Sequence, residues 1–565
     1  MLKDESGKID AHMSDTNIGG RKGRRIQDHL FIVNGVIFEH ARTKKSKSIS
    51  ISIYDNRQCF DSLCQSYIMN DLFQAGMNND KLSLLWKINQ VNKLAVKTSQ
   101  GLSQRKEVNK IVCQGDPWGT IECSLHMEDI SKDSLKPELE PYKYKDELEI
   151  PALLMVDDLI TITESGYKST RMNAFVNAKI ATKKLQFGAE KCFVIHIGSE
   201  HEEYKNVELC VDGWVVKTVE NFQTGQDVCE DTLDEDIELS HIEAEKYLGQ
   251  IISSDSKNTK NILKMKNKGI GIQNKLIQML QTMPGGQYHF QIAVIYCNAY
   301  LISSILASSE VWYGVTQVEY EQLESVDEIW MKNLFQCSSC VAVDLLYLEL
   351  GVWPIRHIIM KRRCLYLHHI LQQKEDSTLF KFFLTQLKNP RQGDWVSQVL
   401  SDLEKLEIHI ELEQIQRMSE NKYNQLLTKQ INKEAFNWLL EKKMSRKSAN
   451  AKGKYLFYSE LKMADYLAPS DIEASIEEKK WLFKCKVEDI DVKCNRRWQN
   501  EITICQSCNE NTEETQCHIL FCKNLIGKNE LLTYIPSYSE LFGTDIQGQI
   551  YTSRLIKDNH ERRIV

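Results

Sequence analysis

The sequence predicts an α+β domain followed by a long all-helical region and a small Cys/His module, and three observations predict it. Between Ile49 and Gly198, short apolar runs with a period of two alternate with runs of helical period, the pattern of a small, mainly antiparallel sheet backed by helices. Residues 285–465 carry amphipathic segments with few glycines or prolines, as a helical domain does. Near the C-terminus, Cys505, Cys508, His518 and Cys522 stand at a spacing that can close tetrahedrally around zinc.

Composition bounds the rest. A chain of 565 residues is too long for one core, so several subdomains are expected. Hydrophobic residues at 42% and charged residues at 26% are those of a folded protein. The net charge of −7 argues mildly against nucleic-acid binding, but the segment Asp227–Glu238 (DVCEDTLDEDIE) holds much of that excess and reads as a solvated insertion. The opening MLKDESGKID is too polar for a signal peptide. Ile292–Ala307 is apolar but broken by Asn298, Ser303 and Ser304, so it reads as a buried helix rather than a membrane span. Seventeen cysteines in such a chain imply reduced thiols in an intracellular compartment.

In chain order, Arg21, Lys22, Arg24 and Arg25 come first. They read equally well as phosphate contacts or as a solvated turn, and no Gly-Lys-Ser/Thr follows a strand as a P-loop requires. In Ser48–Tyr54, isoleucine alternates with serine, which predicts a half-buried strand delivering Asp55 at its end. Gln65–Phe73, Leu82–Val91 and Lys168–Leu185 have helical spacing. Pro151–Glu164 (PALLMVDDLITITE) is written as a β-hairpin with an acidic tip, Asp157 and Asp158, between the apolar runs Leu153–Val156 and Leu159–Ile162. Neighbouring anions between hydrophobic strands repel each other and lose hydration, so they make sense where a cation sits, and magnesium prefers such oxygens. An ordinary Asp-Asp turn is the plainer reading. Asp55 on an adjoining strand favours the metal one, because carboxylates from two strands can hold two ions for in-line phosphoryl transfer.

Six motifs in order then resemble the reverse transcriptase of non-LTR (LINE-type) retrotransposons: SDTNIGGRKGRRIQDHLF (Ser14–Phe31), IYDNRQCFD (Ile53–Asp61), CQGDPWGTIEC (Cys113–Cys123), LLMVDDL (Leu153–Leu159), QFGAEKC (Gln186–Cys192) and YLG (Tyr247–Gly249). Singly each is weak; the order is specific. The resemblance implies palm and fingers of the right-hand polymerase (reverse transcriptase) type, followed by an all-α thumb and linker and a small zinc knuckle. It implies Asp55 and Asp157 as ligands of two Mg²⁺ ions, Asp158 in support, and Lys191 as the cation that neutralises or protonates the leaving pyrophosphate. Phe60 matches the steric gate for deoxynucleotides. Gln114 and Gly115 match the box lining nucleotide and template, with Arg21 and Arg24 as further nucleotide contacts. Tyr247, Leu248 and Gly249 match the primer grip. The implied partners are an RNA template, a DNA primer or target and deoxynucleoside triphosphates, with no membrane. Members of the family carry a further fingers segment ahead of the GGRKG motif, which this chain begins too late to contain.

Past Gly249, Lys257, Lys260, Lys264, Lys266, Lys268 and Lys275 recur along an expected helix ending before Pro284. Such a stripe suits a phosphate backbone, and Lys264 and Lys268 are its central candidates. Gly269 and Gly271 form a lone GxG without nucleotide-binding weight. After Pro354, Arg356, Lys361, Arg362 and Arg363 beside Ile358, Ile359, Leu365 and Leu367 predict a helix with one basic and one apolar face. Cys337 and Cys340 read as two ordinary thiols. Around the zinc set, Thr515, Gln516 and Leu520 complete what resembles a CCHC knuckle, Cys517 is a possible competing ligand, and Arg496, Arg497 and Trp498 beside Lys493 suit single-stranded nucleic acid.

The expected division is partial fingers 1–47, palm 48–250, thumb 251–335, helical linker 336–480 and zinc segment with tail 481–565. The expected activity is RNA-directed DNA synthesis in a nuclear or cytoplasmic ribonucleoprotein. Neither a nuclease nor a ribonuclease H constellation is evident, so target nicking is expected of an endonuclease elsewhere. The alternative is a catalytically inactive remnant that binds nucleic acid.

Overall fold

Strand Ile49–Tyr54 (β1) is the axis of the larger sheet. Its neighbours are Phe193–Ile197 (β4) on one side and Asp158–Thr163 (β3) on the other, with Leu153–Met155 (β2) outermost, giving the order β4-β1-β3-β2. All pairings are antiparallel, with Ile51 opposite both Ile195 and Ile162, and Tyr54 opposite Leu159. The computed structural model describes residues 2–42, 48–89, 93–107, 118–164, 166–188, 191–197, 207–211, 214–218, 244–282, 286–444, 458–468 and 474–487. Beyond these it describes 489, 505, 513, 518, 549–550, 552–554 and 556–558.

The alternation of isoleucine and serine in β1 suggests one wet face, and the structure corrects that expectation. Every residue of β1 is buried, because the strand is central and the helix Gly166–Thr182 packs against it and against β3. Ser50 Oγ meets His196 Nδ1 at 3.0 Å and Ser52 Oγ meets Ser169 Oγ at 3.5 Å, so the buried hydroxyls are hydrogen-bonded instead of hydrated. Tyr54 closes the strand, its hydroxyl bonded to Asn173 and its ring 5.2 Å from that of Phe187.

The chain forms two compact units: residues 1–261, 310–315 and 366–401, and residues 262–309, 316–365 and 402–565. The stretch 336–480, expected as one linker, is therefore split. Residues 366–401 belong to the first unit because Phe382 and Trp395 pack edge-on against Phe31, at 5.5 and 5.0 Å, in the helix Ile26–Arg42. Tyr366 Oη and His369 Nε2 bond to the buried Asp28 of that helix at 3.0 and 2.9 Å.

The second unit is helical. In the helix Thr259–Thr282, whose residues from Ile262 belong to this unit, Gly269 lets helices close. A Cβ there would lie 2.8 Å from Ile305 Cγ2 and 3.0 Å from Val326 Cγ1. That contact gives Gly269 a packing role, whereas a Cβ at Gly271 would meet nothing within 4 Å. Phe335 stacks between Phe290 and Phe483 at 5.3 and 4.2 Å. The apolar run near Ile292–Ala307 forms a helix whose middle turn, Cys297–Ile302, is π-helical, and it buries one side while leaving Ile295 and Tyr300 exposed. No described helix is long and apolar enough to cross a membrane.

The helix Ile355–Leu371 departs from the expected two-faced pattern. Arg356 makes a fork with Glu324 at 2.8 and 3.0 Å and stacks 4.4 Å over Trp438. The buried Arg363 pairs with Asp402, and Arg362 donates to the Leu306 carbonyl. These guanidiniums hold helices together rather than forming a basic surface, because a half-buried Glu324, the buried Asp402 and the Leu306 carbonyl claim them.

Within this core Asp327 is buried beside Tyr347 and Cys297, whose Sγ lies 3.8 Å from Asp327 Oδ1. Burial pushes its carboxyl up to about 7. A folded state that holds its proton more tightly than the unfolded chain loses stability as pH rises from the ordinary carboxyl range through about 7. Asp327→Asn is therefore expected to match the parent near pH 3 in chemical denaturation and to exceed it at pH 8, by on the order of 4 kcal/mol at most. Equal stabilities at pH 8 would show that Asp327 is not a strained carboxyl.

Candidate active site

The acidic residues meet at one end of the β1–β3 pair. Asp55 follows directly on Tyr54, and Met155 pairs with Asp158 across a two-residue turn of Val156 and Asp157. Because Tyr54 is opposite Leu159, Asp55 emerges alongside that turn. Asn56 Nδ2 donates to the Asp157 carbonyl at 3.2 Å, tying the two carboxylate-bearing segments together.

Backbone contacts hold the segment that bears Asp55. The Asp55 carbonyl accepts from Gly188 N at 3.0 Å, and Arg57 N donates to the Gln186 carbonyl at 2.8 Å. Gln186 and Gly188 thus lie against the residues flanking Asp55, and the Lys191 ammonium stands 3.3 Å from Asp55 Oδ2. That pair is solvent-accessible, so its net stabilising effect is small.

Val156 has φ 63°, the left-handed region in which a β-branched residue is strained by roughly 1–3 kcal/mol. A buttress maintains it. Ile18 N donates to the Leu154 carbonyl at 2.9 Å and Leu154 N to the Thr16 carbonyl at 3.0 Å, while Asn17 pairs in parallel with Leu154. Gly19 then lies against the turn, where a Cβ would stand 2.7 Å from Val156 N and 2.1 Å from Ser124 Oγ. Ser124 Oγ donates to the Gly19 carbonyl at 3.1 Å. Behind this, the buried Asn17 and Ser14 N converge on the buried Glu128, at 2.9 and 2.6 Å.

Electrostatics show how crowded the carboxylates are. Burial raises the Asp157 carboxyl, and Asp55 adds to the effect. Asp158 is pushed up to about 6, first by burial and then by Asp157 and Asp55, against partial relief from Lys246 and Lys191. Carboxylates that raise one another's proton affinity form a donor set that a divalent cation relieves, and hard oxygens suit magnesium. Asp55, Asp157 and Asp158 offer oxygens of that kind, although among the described residues no three His, Cys, Asp or Glu side chains stand close enough together to hold an ion as they are.

The hairpin of Ala244–Tyr247 and Gln250–Ser253 reaches the same site. Leu248 and Gly249 form its tight turn with φ of 45° and 89°, and Tyr247 feels the charge of Asp158. His29 fixes the hairpin: Nδ1 lies 3.2 Å from Tyr247 Oη and Nε2 2.7 Å from the Thr16 carbonyl. Burial pulls its imidazole down to about 4, so His29 is neutral here.

Phe60 sits half-buried on the short helix Cys59–Ser62, packed against the core cluster that includes Tyr54 and Leu159. Arg21 has a different setting from that expected of a nucleotide contact. Its Nε pairs with Asp10 at 2.6 Å and its remaining donors meet the Ser14, Asn17 and Asp10 carbonyls, so the fork is spent on the buttress. Arg24 Nη1 donates to Gln373 Oε1 at 3.1 Å. Lys264 and Lys268 lie in the second unit. Gln114, Gly115, Arg496, Arg497, Trp498, Cys508 and Cys522 fall outside the described residues, as does the acidic stretch 227–238. Cys505 is described and buried and His518 is described, but among the described residues no group of three or more metal-ligating side chains stands together.

No protein-family model matches the chain, and no curated protein does. Among solved structures, apo telomerase from Candida tropicalis aligns at TM-score 0.31 and 11% identity, over 70% of this chain and 60% of that one. Telomerase from Candida albicans in complex with a TWJ fragment of telomeric RNA aligns at TM-score 0.28 and 12% identity, over 69% of this chain and 56% of that one. A C-terminally truncated apo telomerase from Candida tropicalis gives TM-score 0.24 and 18% identity, over 34% and 38%. The chain thus spans less than two thirds of the length of each. Likeness at these scores carries no argument, and function has to be reasoned from the site's own residues.

Gly19 offers a direct test of the buttress. Gly19→Ala is expected to destabilise the chain by about 1–3 kcal/mol in chemical denaturation, because the added methyl overlaps backbone at Val156. Ser124→Ala in the same background should recover only part of that loss. A neutral Gly19→Ala would show that the turn does not rest on this contact.

Proposed function

We propose that the chain is an RNA-directed DNA polymerase of the non-LTR retrotransposon type, extending a DNA primer on an RNA template. The observation that carries this reading is the gathering of Asp55, Asp157 and Asp158 at one sheet end, on a strained turn held by a dedicated buttress. Asp55 and Asp157 would hold two magnesium ions, with Asp158 supporting them. When bound, that metal supplies Lewis-acid stabilisation of phosphoryl oxygens and favours ionisation of a coordinated hydroxyl.

The chain's own residues supply the rest. Lys191, exposed at the rim and 3.3 Å from Asp55, is placed to neutralise or protonate a departing pyrophosphate. Phe60 on the helix after Asp55 would press on the sugar of an incoming nucleotide and exclude a 2′-hydroxyl. The Tyr247–Gly249 turn, tied to the acidic end through Tyr247, would position the primer terminus. The zinc set Cys505, Cys508, His518 and Cys522 is proposed from its spacing alone, as a structural knuckle for nucleic acid. Residence in a ribonucleoprotein, and an endonuclease supplied by another portion or protein, belong to the same proposal.

A second reading, a catalytically inactive nucleic-acid-binding remnant, draws on one specific observation. Arg21 of the GGRKG motif commits four of its five N–H donors to the Asp10 carboxylate and three carbonyls, which leaves one for a triphosphate.

Primer extension on poly(rA)/oligo(dT) with dTTP and Mg²⁺ separates the two. The parent is expected to extend, Asp157→Ala to give no product, and Lys191→Met to slow extension by about 10²-fold. Retained RNA binding with no extension by the parent would establish the remnant instead.

A further inference from the structure

Between the box of Asp55 and the helix Gly119–Asp133 lies a stretch that the polymerase reading does not use. Residues 81–106 hold six cations, Lys81, Lys87, Lys93, Lys97, Arg105 and Lys106, and no carboxylate, in a chain whose acidic residues outnumber its basic ones by 78 to 71. The helix Asn79–Asn89 leads into a narrow antiparallel ribbon, in which Lys93 pairs with Glu107, Leu94 with Lys106, Lys97 with Leu102 and Thr98 with Gly101. Its tip is closed locally: Thr98 Oγ1 donates to the Gly101 carbonyl at 3.1 Å and accepts from Gln100 N at 3.2 Å.

Two features make this an arm built for a partner. A two-stranded ribbon is marginally stable by itself, yet its large apolar residues lie open: Val96 is 65% and Leu102 73% exposed. On the preceding helix, Trp86 is 38% and Ile88 55% exposed. Grouped apolar exposure of this kind marks an interaction surface. Lys81 pairs with Glu5 at 2.6 Å, but Lys87, Lys97, Arg105 and Lys106 are exposed, and among the described residues no carboxylate pairs with them.

We infer that this arm binds an unpaired nucleic-acid strand. The occupant must be a polyanion that also offers flat apolar faces, since cations and apolar side chains alternate within a few residues. A single strand offers both, with phosphates for the four cations and bases for Trp86, Val96 and Leu102, whereas in a duplex the base faces are already stacked. An anionic membrane suits the arm less well. A membrane-surface helix separates its charged and apolar faces, while Trp86, Lys87 and Ile88 are consecutive and all exposed. The inference stands independently of polymerase activity.

The test is fluorescence anisotropy of the full chain with a labelled 20-nucleotide oligouridylate across a salt series. The triple variant Lys97→Glu/Arg105→Glu/Lys106→Glu is expected to bind at least about tenfold more weakly, with a salt slope shallower by about 2, as three lost single-strand phosphate contacts imply. Trp86→Ala should lose about fivefold or more. Hydrogen exchange of the unaltered chain supplies a second readout that does not depend on how a variant folds, with the oligouridylate slowing exchange in residues 93–107. Unchanged affinity and slope in the triple variant, no protection of 93–107, or preference of the arm for a 20-base-pair duplex or for phosphatidylserine vesicles would overturn the assignment.

Discussion

Mutual repulsion among Asp55, Asp157 and Asp158 is the constraint on which the first unit depends. Carboxylates gathered at a partly buried sheet end oppose folding unless something holds them together, and burial with mutual charge lifts Asp158 to about 6. The holding is done by backbone and by uncharged groups. Gly188 N fixes the Asp55 carbonyl, Asn56 spans to the Asp157 carbonyl, and the segment 16–19 clamps the strand that enters the turn. Among the described residues, Asp55 Oδ2 meets the exposed Lys191 ammonium and the Asp157 carboxylate accepts from its own backbone N–H, while the rest of the clamp acts on backbone groups. That arrangement suits a site meant to receive a cation.

Much of the surrounding fold follows from this requirement. The strand β1 is central and fully buried, so the residue that leaves it has a rigid base. His29, neutral because it is buried, connects the Thr16 segment with Tyr247, so the clamp and the hairpin beside Asp158 share one support. In the second unit, charge works differently. Arg363–Asp402 and Lys486–Glu349 are buried pairs, the latter at 3.0 Å. Such pairs fix the register of helices at little net gain, and breaking one by truncation costs about 3–5 kcal/mol.

What was legible in the sequence were features with a period or a motif. The alternating run ahead of Asp55, the Asp157-Asp158 hairpin and the helices at Gln65–Gln74 and Gly166–Thr182 all appear where periodicity placed them. Lys191, expected near the acidic end from motif order, lies against Asp55. What was not legible depended on partners distant in sequence. Serines in β1 looked solvent-facing because alternation cannot reveal a helix stacked on the second face. Arg356, Arg362 and Arg363 looked like a basic surface because nothing local announces Glu324 or Asp402 as partners. Val156 gave no sign of a left-handed backbone, since valine is the residue least suited to it. The Gly19-Gly20 pair was the one available signal for the buttress, and its use, a close approach to Val156, required the fold.

The central claim is that the acidic end is built to hold divalent metal, and metal binding tests it apart from catalysis. Electron paramagnetic resonance of Mn²⁺ titrated into the chain measures this directly, comparing the parent with Asp55→Asn and Asp157→Asn, which keep side-chain shape while removing charge. The account predicts that either substitution weakens Mn²⁺ binding by at least about tenfold without lowering thermal stability. Binding of equal strength in all three proteins would contradict it, leaving Asp55, Asp157 and Asp158 as a costly cluster with no cation to justify it.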